Sequence, residues 1–312
     1  MQAKHAIVVN LSLLFIALIW GATFTFTKNA LADVSVFVFL FMRFALSAVI
    51  LFFMVLASSR SRHSLQLKTW LGGVVLGLLL FAVYSFQTLG LRTISPAMSG
   101  FLTGLNVVLV PLFAIPILRR LPKGQTWLAT LVALCGLALI NGIGFTAIHS
   151  GEAETIICAA FIALQILGVE KLGARIDALA LAAIELLVVA VLSLVVLLSH
   201  HQMGGLNMRI WLKPPVFWAL MVNAVLGTAL AYWGQNVFQK HTSAAYIAIV
   251  FSTEPVFAAL FSWAASGATL SIVGWMGGLM IFISMLIASP HIIWRRLAIN
   301  GAASREDKMA KR

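Results

Sequence analysis

The sequence predicts an all-α integral membrane protein with ten transmembrane helices arranged as two inverted five-helix repeats. Three observations carry that expectation. The 312 residues are 62% hydrophobic and only 10% charged, whereas a soluble domain carries about 25% charged residues, so lipid is needed to cover the apolar surface. Long apolar runs alternate with short basic clusters. One constant offset of 148 positions places Trp, Tyr and Gln residues of the first half on identical residues of the second.

The elements follow in order. Lys4 precedes the first run, and Ala30-Leu31-Ala32 has the small-x-small form of a cleavage site. The charge-free stretch from Ala6 to Thr27 is nevertheless longer than a signal core of roughly 7–15 residues, and long enough for the ~20 residues that cross a bilayer. It reads as a first span near 7–27, followed by spans near 35–57, 70–91, 95–118 and 124–142. Five more lie near 155–172, 178–198, 215–238, 243–265 and 270–290, the sixth being the shortest. Ser95-Pro96 and Pro214-Pro215 suit helix starts, where a missing N–H does no harm. Pro111, Pro116 and Pro255 fall inside spans and should kink or break them. The expected organisation is a first repeat over 6–142, a second over 154–290 and a basic cytoplasmic tail over 291–312.

The net charge of +12 does not indicate nucleic acid, because Lys and Arg sit between apolar runs and not in a stripe interleaved with aromatics. Their distribution gives orientation. With the N-terminus inside, sixteen of the 21 basic residues fall on inner segments, four (Lys28, Arg92, Arg209 and Lys213) on outer ones, and Arg43 within a span. Positive charge marks the cytoplasmic side, so both termini are expected there, in a bacterial-type inner membrane. Cys135 and Cys158 lie in apolar runs without metal-like spacing, and read as small lipid- or core-facing residues.

The offset of 148 relates Trp70 to Trp218, Tyr84 to Tyr232, Gln87 to Gln235, Ser95 to Ser243, Ala97 to Ala245, Phe113 to Phe261 and Trp127 to Trp275. An offset of 146 pairs Phe15-Ile16-Ala17-Leu18 with Phe161-Ile162-Ala163-Leu164. Five spans per half is an odd number, so the second copy enters the membrane from the opposite side. Inverted repeats of this kind place a binding site near the midplane, and rocking one half against the other gives alternating access.

Several segments carry a family resemblance. Ala17-Leu18-Ile19-Trp20-Gly21-Ala22 followed by Lys28, and Arg43-Phe44 in the second span, resemble the opening of the EamA repeat of the drug/metabolite transporter superfamily. Gly90-Leu91-Arg92-Thr93-Ile94-Ser95, leading to Gly104-Leu105-Asn106 and Pro111, resembles the third-to-fourth helix region of that repeat. Thr242-Ser243-Ala244-Ala245 and Glu254-Pro255-Val256-Phe257 answer in the second half. The resemblance spans about 6–290. It implies ten helices in two inverted repeats around a central substrate cavity, and export of amino acids, related metabolites or drugs. The sixth span has Ile166-Leu167-Gly168 where the first has Trp20-Gly21, so the two leading helices need not play equal roles.

Charges inside spans are costly and are functional candidates by default. Arg43 is a candidate for a substrate carboxylate, or for fixing a polar cluster. Glu185 and Glu254 are candidates for an ammonium group or a coupling proton; Glu185 lies close enough to its span start to be interfacial instead. Asn106 is the repeat partner of Glu254. Tyr84 and Gln87, three apart, share one helical face, and Tyr232 and Gln235 repeat the pair; each can hold a polar solute or tie helices together. Trp20 is a candidate cavity residue. Trp70, Trp127, Trp218 and Trp275 lie at span starts, where interfacial anchoring is the default. Asn223 and Gln165 read as helix glue, and Gly72-Gly73 and Gly277-Gly278 as close-packing positions. His200-His201 has no acidic or cysteine partner and is not expected to bind metal.

No P-loop spacing occurs, so ATP is not the expected energy source, and no cofactor is expected. The expected partners are a small-molecule substrate, membrane lipid and, in a coupled mechanism, a proton. The leading reading is a secondary transporter, not an enzyme. A membrane enzyme would need clustered catalytic groups facing one interface. A non-transporting scaffold or receptor subunit is the alternative, but would not need polar groups at matched places in both halves.

Overall fold

The computed structural model describes residues 2–141, 149–199, 208–267 and 271–288, and among them the chain is all helical. The principal helices are α1 (Gln2–Ala30), α2 (Val36–Ala57), α3 (Leu67–Leu91), α4 in two half-helices (Pro96–Gly104 and Asn106–Leu118) and α5 (Gly124–Asn141). They continue with α6 (Ser150–Leu172), α7 (Ala178–Ser199), α8 (Pro214–Met221, Val222–Leu230 and Ala231–Phe238), α9 in two half-helices (Ala244–Phe251 and Glu254–Ser266) and α10 (Ile272–Ala288). Eight helical stretches among the described residues are long and apolar enough to cross a membrane; Gly124–Ile140 and Ile272–Ala288 are apolar but shorter. Large side chains such as Phe53, Leu78, Val191 and Leu279 stand exposed on the outside, an arrangement that suits lipid. Trp70, Trp218 and Trp275 are exposed near helix starts. Both cysteines are free, Cys158 buried and Cys135 exposed.

Two boundaries differ from the sequence expectation. Helix α6 starts at Ser150 and runs for 23 residues, so among the described residues α10, with 17, is the shortest of the principal helices. The early acidic residues do not exclude the first turns of α6. Glu152 takes the third helical position of a capping box, where its carboxylate accepts the His149 backbone N–H at 3.1 Å, and negative charge at a helix start is favourable. The chain breaks do not fall at the prolines themselves. They fall at Leu105 and at Ser252-Thr253. Pro255 takes the second position of the half-helix begun by Glu254, where no N–H is required, while Pro111 and Pro116 lie within Asn106–Leu118. The tail over 291–312 and His200-His201 lie outside the described residues.

Helices α4 and α9 share their local details at the sequence offset. Ser95 caps α4 by accepting the Met98 N–H at 3.1 Å, and Ser243 caps α9 by accepting the Tyr246 N–H at 3.3 Å. Asn106 and Glu254 are the first residues of the second half-helices. Both helices end on a left-handed residue, Arg119 (φ 52°) and Gly267 (φ 71°), the conformation that terminates many helices and that glycine adopts without strain.

Small residues set the helix contacts. Gly73 and Gly77 of α3 meet Ile184 and Val188 of α7, and Gly21 of α1 meets Phe257 and Ala258 of α9. Helices α5 and α10 cross at Gly136 and Gly277, where a Cβ on Gly136 would lie 2.6 Å from the Gly277 carbonyl oxygen. The contact pattern is preserved when the halves are exchanged. Helix α3 packs on α6 and α7 as α8 packs on α1 and α2, α4 packs on α6 as α9 on α1, and α2–α7, α4–α9 and α5–α10 pair with one another. Lys28, at the end of α1, donates to the carbonyls of Leu91, Arg92 and Ile94 at 2.7, 2.9 and 3.0 Å, closing the end of α3 with a cation that its helix dipole favours.

Gly277→Leu forces the α5–α10 crossing apart and is expected to destabilise the protein by ~1–3 kcal/mol. Gly124→Ala, where an added Cβ meets nothing within 4 Å, is expected to stay within ~0.5 kcal/mol. Thermal unfolding of both variants in the same detergent checks the pair.

Candidate functional site

Three helices from each half enclose a cavity. From α1 come Trp20 and Thr23, from α3 Leu80, Val83, Tyr84 and Gln87, and from α4 Asn106; from α6 come Ile162, Gln165 and Ile166, from α8 Tyr232 and Gln235, and from α9 Phe251 and Glu254. Counting its open side, the space between these residues is about 530 Å³. Its wall is aromatic on one side. Trp20 lies 4.8 Å from Phe251 and 5.5 Å from Tyr232 between ring centroids, and Tyr84 and Tyr232 meet edge to face at 6.0 Å.

The polar groups are presented by the helix breaks and by one turn each of α3 and α8. Asn106 is 4% exposed, donates to the Thr103 carbonyl at 2.7 Å and leaves its Oδ1 without a protein partner. Glu254 holds the matching place on α9, and among the described residues no cationic side chain forms an ion pair with it. Gln235 donates through Nε2 to Gln165 Oε1 and Gln239 Oε1, both at 3.2 Å, and its own Oε1 has no protein partner. Free acceptors at Asn106, Glu254 and Gln235 are suited to a hydrogen-bond donor or a cationic group, and the aromatic faces to an apolar or cationic part.

Arg43 stands behind this wall. It is 2% exposed; its Nε donates to Thr228 Oγ1 at 2.7 Å and its Nη2 to the Tyr84 hydroxyl at 3.2 Å and the Gly227 carbonyl at 3.5 Å. The guanidinium carbon lies 4.4 Å from the Tyr84 ring centroid and 5.4 Å from that of Phe44, so two aromatic faces help to replace hydration. Thr228 and Gly227 belong to the wider, π-helical stretch Val222–Leu230 of α8. Side chains of α1 and α2 donate to carbonyls of this stretch: Trp20 Nε1 to Gly227 O at 2.9 Å and Ser47 Oγ to Ala224 O at 2.8 Å. Thr27 Oγ1 donates to Asn223 Oδ1 at 3.1 Å, so Asn223 is helix glue, as expected.

Glu185 also lies off the cavity. It is fully buried in α7, and its Oε1 accepts from Asn236 Nδ2 at 3.1 Å. The structure therefore gathers Trp20, Tyr84, Gln87, Asn106, Tyr232, Gln235 and Glu254 around one space, with Arg43 and Glu185 set behind it. Sequence reasoning assigned Gln165 to helix packing, yet it lines the cavity. The available signal was the 146 offset, which puts its neighbour Ile166 at the place of Trp20. Thr228, Gly227 and Asn236 carried no signal of their own. Among the described residues no cluster of three or more metal-ligating side chains occurs.

The chain is similar to known proteins over most of its length. The model of the EamA-like transporter family matches residues 8–142 and 149–289. A protein of Archaeoglobus fulgidus described as an uncharacterized transporter is 27% identical over 285 residues, covering 91% of this chain and 86% of that protein. A solved crystal structure shares the fold with a TM-score of 0.71 at 18% identity, covering 93% of this chain and 98% of the other.

Thr228→Val removes the acceptor for Arg43 Nε. A charged donor raises a hydrogen bond above the neutral average, while membrane interiors hold such bonds to modest values, so a coupling of ~1–2 kcal/mol is expected. A double-mutant cycle with Arg43→Met, read by SDS-driven unfolding in mixed micelles, measures it. Additive effects would show that the bond contributes nothing.

Proposed function

Because this chain belongs to the EamA-like transporter family, we propose that it is a secondary transporter exporting small metabolites, such as amino acids or related compounds, across a bacterial-type inner membrane. The observation that carries this reading is the matched lining of the cavity: Tyr84 with Tyr232, Gln87 with Gln235 and Asn106 with Glu254, each pair 148 residues apart. A scaffold has no use for polar groups at equivalent places in both halves facing a common space.

The proposed architecture is ten membrane-crossing helices in two inverted repeats, with both termini cytoplasmic and 291–312 as an inner tail. The shared caps and left-handed ends of α4 and α9, and contacts that survive exchange of the halves, support it. Alternating access would come from rocking the halves about the α2–α7 and α5–α10 seams, with the cavity as the fixed site. Glu254 and Asn106 would receive the ammonium group of the solute, the aromatic wall its side chain, and Tyr84, backed by the Arg43 cation, its carboxylate end. Trp20, Gln87, Tyr232 and Gln235 complete the contacts.

Vesicles containing the purified protein and loaded with labelled amino acids are expected to show saturable efflux; efflux no faster than from empty vesicles contradicts the proposal. Glu254→Gln replaces a charge-assisted contact worth ~1.5–3 kcal/mol. It is expected to raise the half-saturating concentration for free amino acids ~10-fold or more, while leaving N-acylated analogues nearly unchanged. Equal loss for both removes the ammonium role. Arg43→Lys is expected to weaken acids more than their esters, and the ratio of the two half-saturating concentrations measures it.

A further inference from the structure

We propose that Glu185 is a proton-carrying group, set apart from the solute cavity, whose charge state controls the Gln165–Gln235 tie in the cavity wall. The inference rests on the transport reading for its purpose, while the site itself rests on geometry.

Glu185 is fully buried in α7, and only one of its oxygens has a protein partner, the 3.1 Å bond from Asn236 Nδ2; Oε2 has none. Among the described residues no Lys, Arg or His pairs with it. Helix α7 packs against α2, α3 and α8. Of the titratable groups on those helices, Tyr232 of α8 interacts with Glu185, and Tyr84 of α3 and Arg43 of α2 reach Tyr232 in turn. On α7 itself the chain begins beside Asp177, ~12 Å along the axis, where Asp177 caps the helix and faces Arg60. Lys240, at the end of α8, is turned to the Ile176 carbonyl. A carboxylate left this far from a cation is costly in a membrane interior, and a proton removes that cost. A metal cation fits poorly, because an amide N–H already points at the carboxyl group where an oxygen cage would be needed.

The amides connect this group to the cavity. Gln165, 3% exposed, has an unpartnered Nε2 that faces the Glu185 carboxyl group, while its Oε1 accepts from Gln235 Nε2 at 3.2 Å. An amide holds its two ends in opposite roles. With Glu185 ionised, the carboxylate attracts Gln165 Nε2, and Oε1 is left facing Gln235. When water at the surface delivers a proton to Glu185, forming one O–H bond, the carboxyl group needs an acceptor instead. Gln165 then turns, presents Nε2 to Gln235 Nε2 and loses that bond, while Gln239 keeps hold of Gln235. Protonation thereby unlatches α6 from α8 beside the solute.

Infrared difference spectra of the full-length protein in lipid, recorded as a function of pH with no solute, test this directly. The proposal expects a carboxylic C=O band that titrates, is lost in Glu185→Gln and is retained in Glu254→Gln, accompanied by a side-chain amide change that Gln165→Leu abolishes. A titrating spectrum identical in Glu185→Gln, or a band moved by Na⁺ at fixed pH, overturns it. Where Glu185→Gln does not fold, Asn236→Leu serves, and an unchanged midpoint for the band overturns the proposal. Amino acid flux from vesicles is read separately: a normal Glu185 band without flux contradicts the transport reading alone.

Discussion

A guanidinium held away from water among helices must be given every partner it needs by the protein, and Arg43 imposes that demand on its whole neighbourhood. It fixes Thr228 and Gly227 of α8, and it places Tyr84 at the cavity wall by hydrogen bond and by ring face. Within the π-helical stretch of α8, the carbonyls of Gly227 and Ala224 accept from Trp20 of α1 and Ser47 of α2. The same cluster thus joins three helices of the first half, α1, α2 and α3, to one of the second. It also gives the aromatic wall a positive backing.

At the helix breaks the polar lining is made differently. Breaks at Leu105 and Ser252-Thr253 put Asn106 and Glu254 at the starts of half-helices, where the chain can present a polar side chain without opening a helix interior to lipid. The space thus has Glu254 in its lining and the Arg43 cation behind Tyr84. Glu254, lining an open space, has no ion-pairing partner among the described residues, whereas Arg43, in the packed interior, has its Nε and Nη2 engaged.

Much of this was legible in the sequence, for identifiable reasons. Apolar runs located the helices because lipid demands about twenty such residues per crossing. The 148 offset located cavity residues because both halves carry the same polar types at that spacing, and Tyr84, Tyr232, Gln87 and Gln235 are rare enough among leucines and alanines to be noticed. Prolines marked α4 and α9 as irregular but misplaced the breaks: a proline tolerated early in a half-helix lies after the irregularity, as Pro255 does. The π-helical stretch left no mark, since Val222–Leu230 is composed of residues common throughout the chain. Gln165 looked like packing because its role depends on α8, which is distant in sequence. Helix α6 starts at Ser150 and not near 155 because Glu152 takes part in its N-terminal capping box.

The most direct test is sided access to the cavity. A cysteine introduced as Gln87→Cys in a Cys135→Ser/Cys158→Ser background can be challenged with a membrane-impermeant thiol reagent from each face of sealed vesicles. The account predicts labelling from both faces, with the balance between them shifted by saturating solute. Labelling from one face alone under every condition, or from neither, would contradict it.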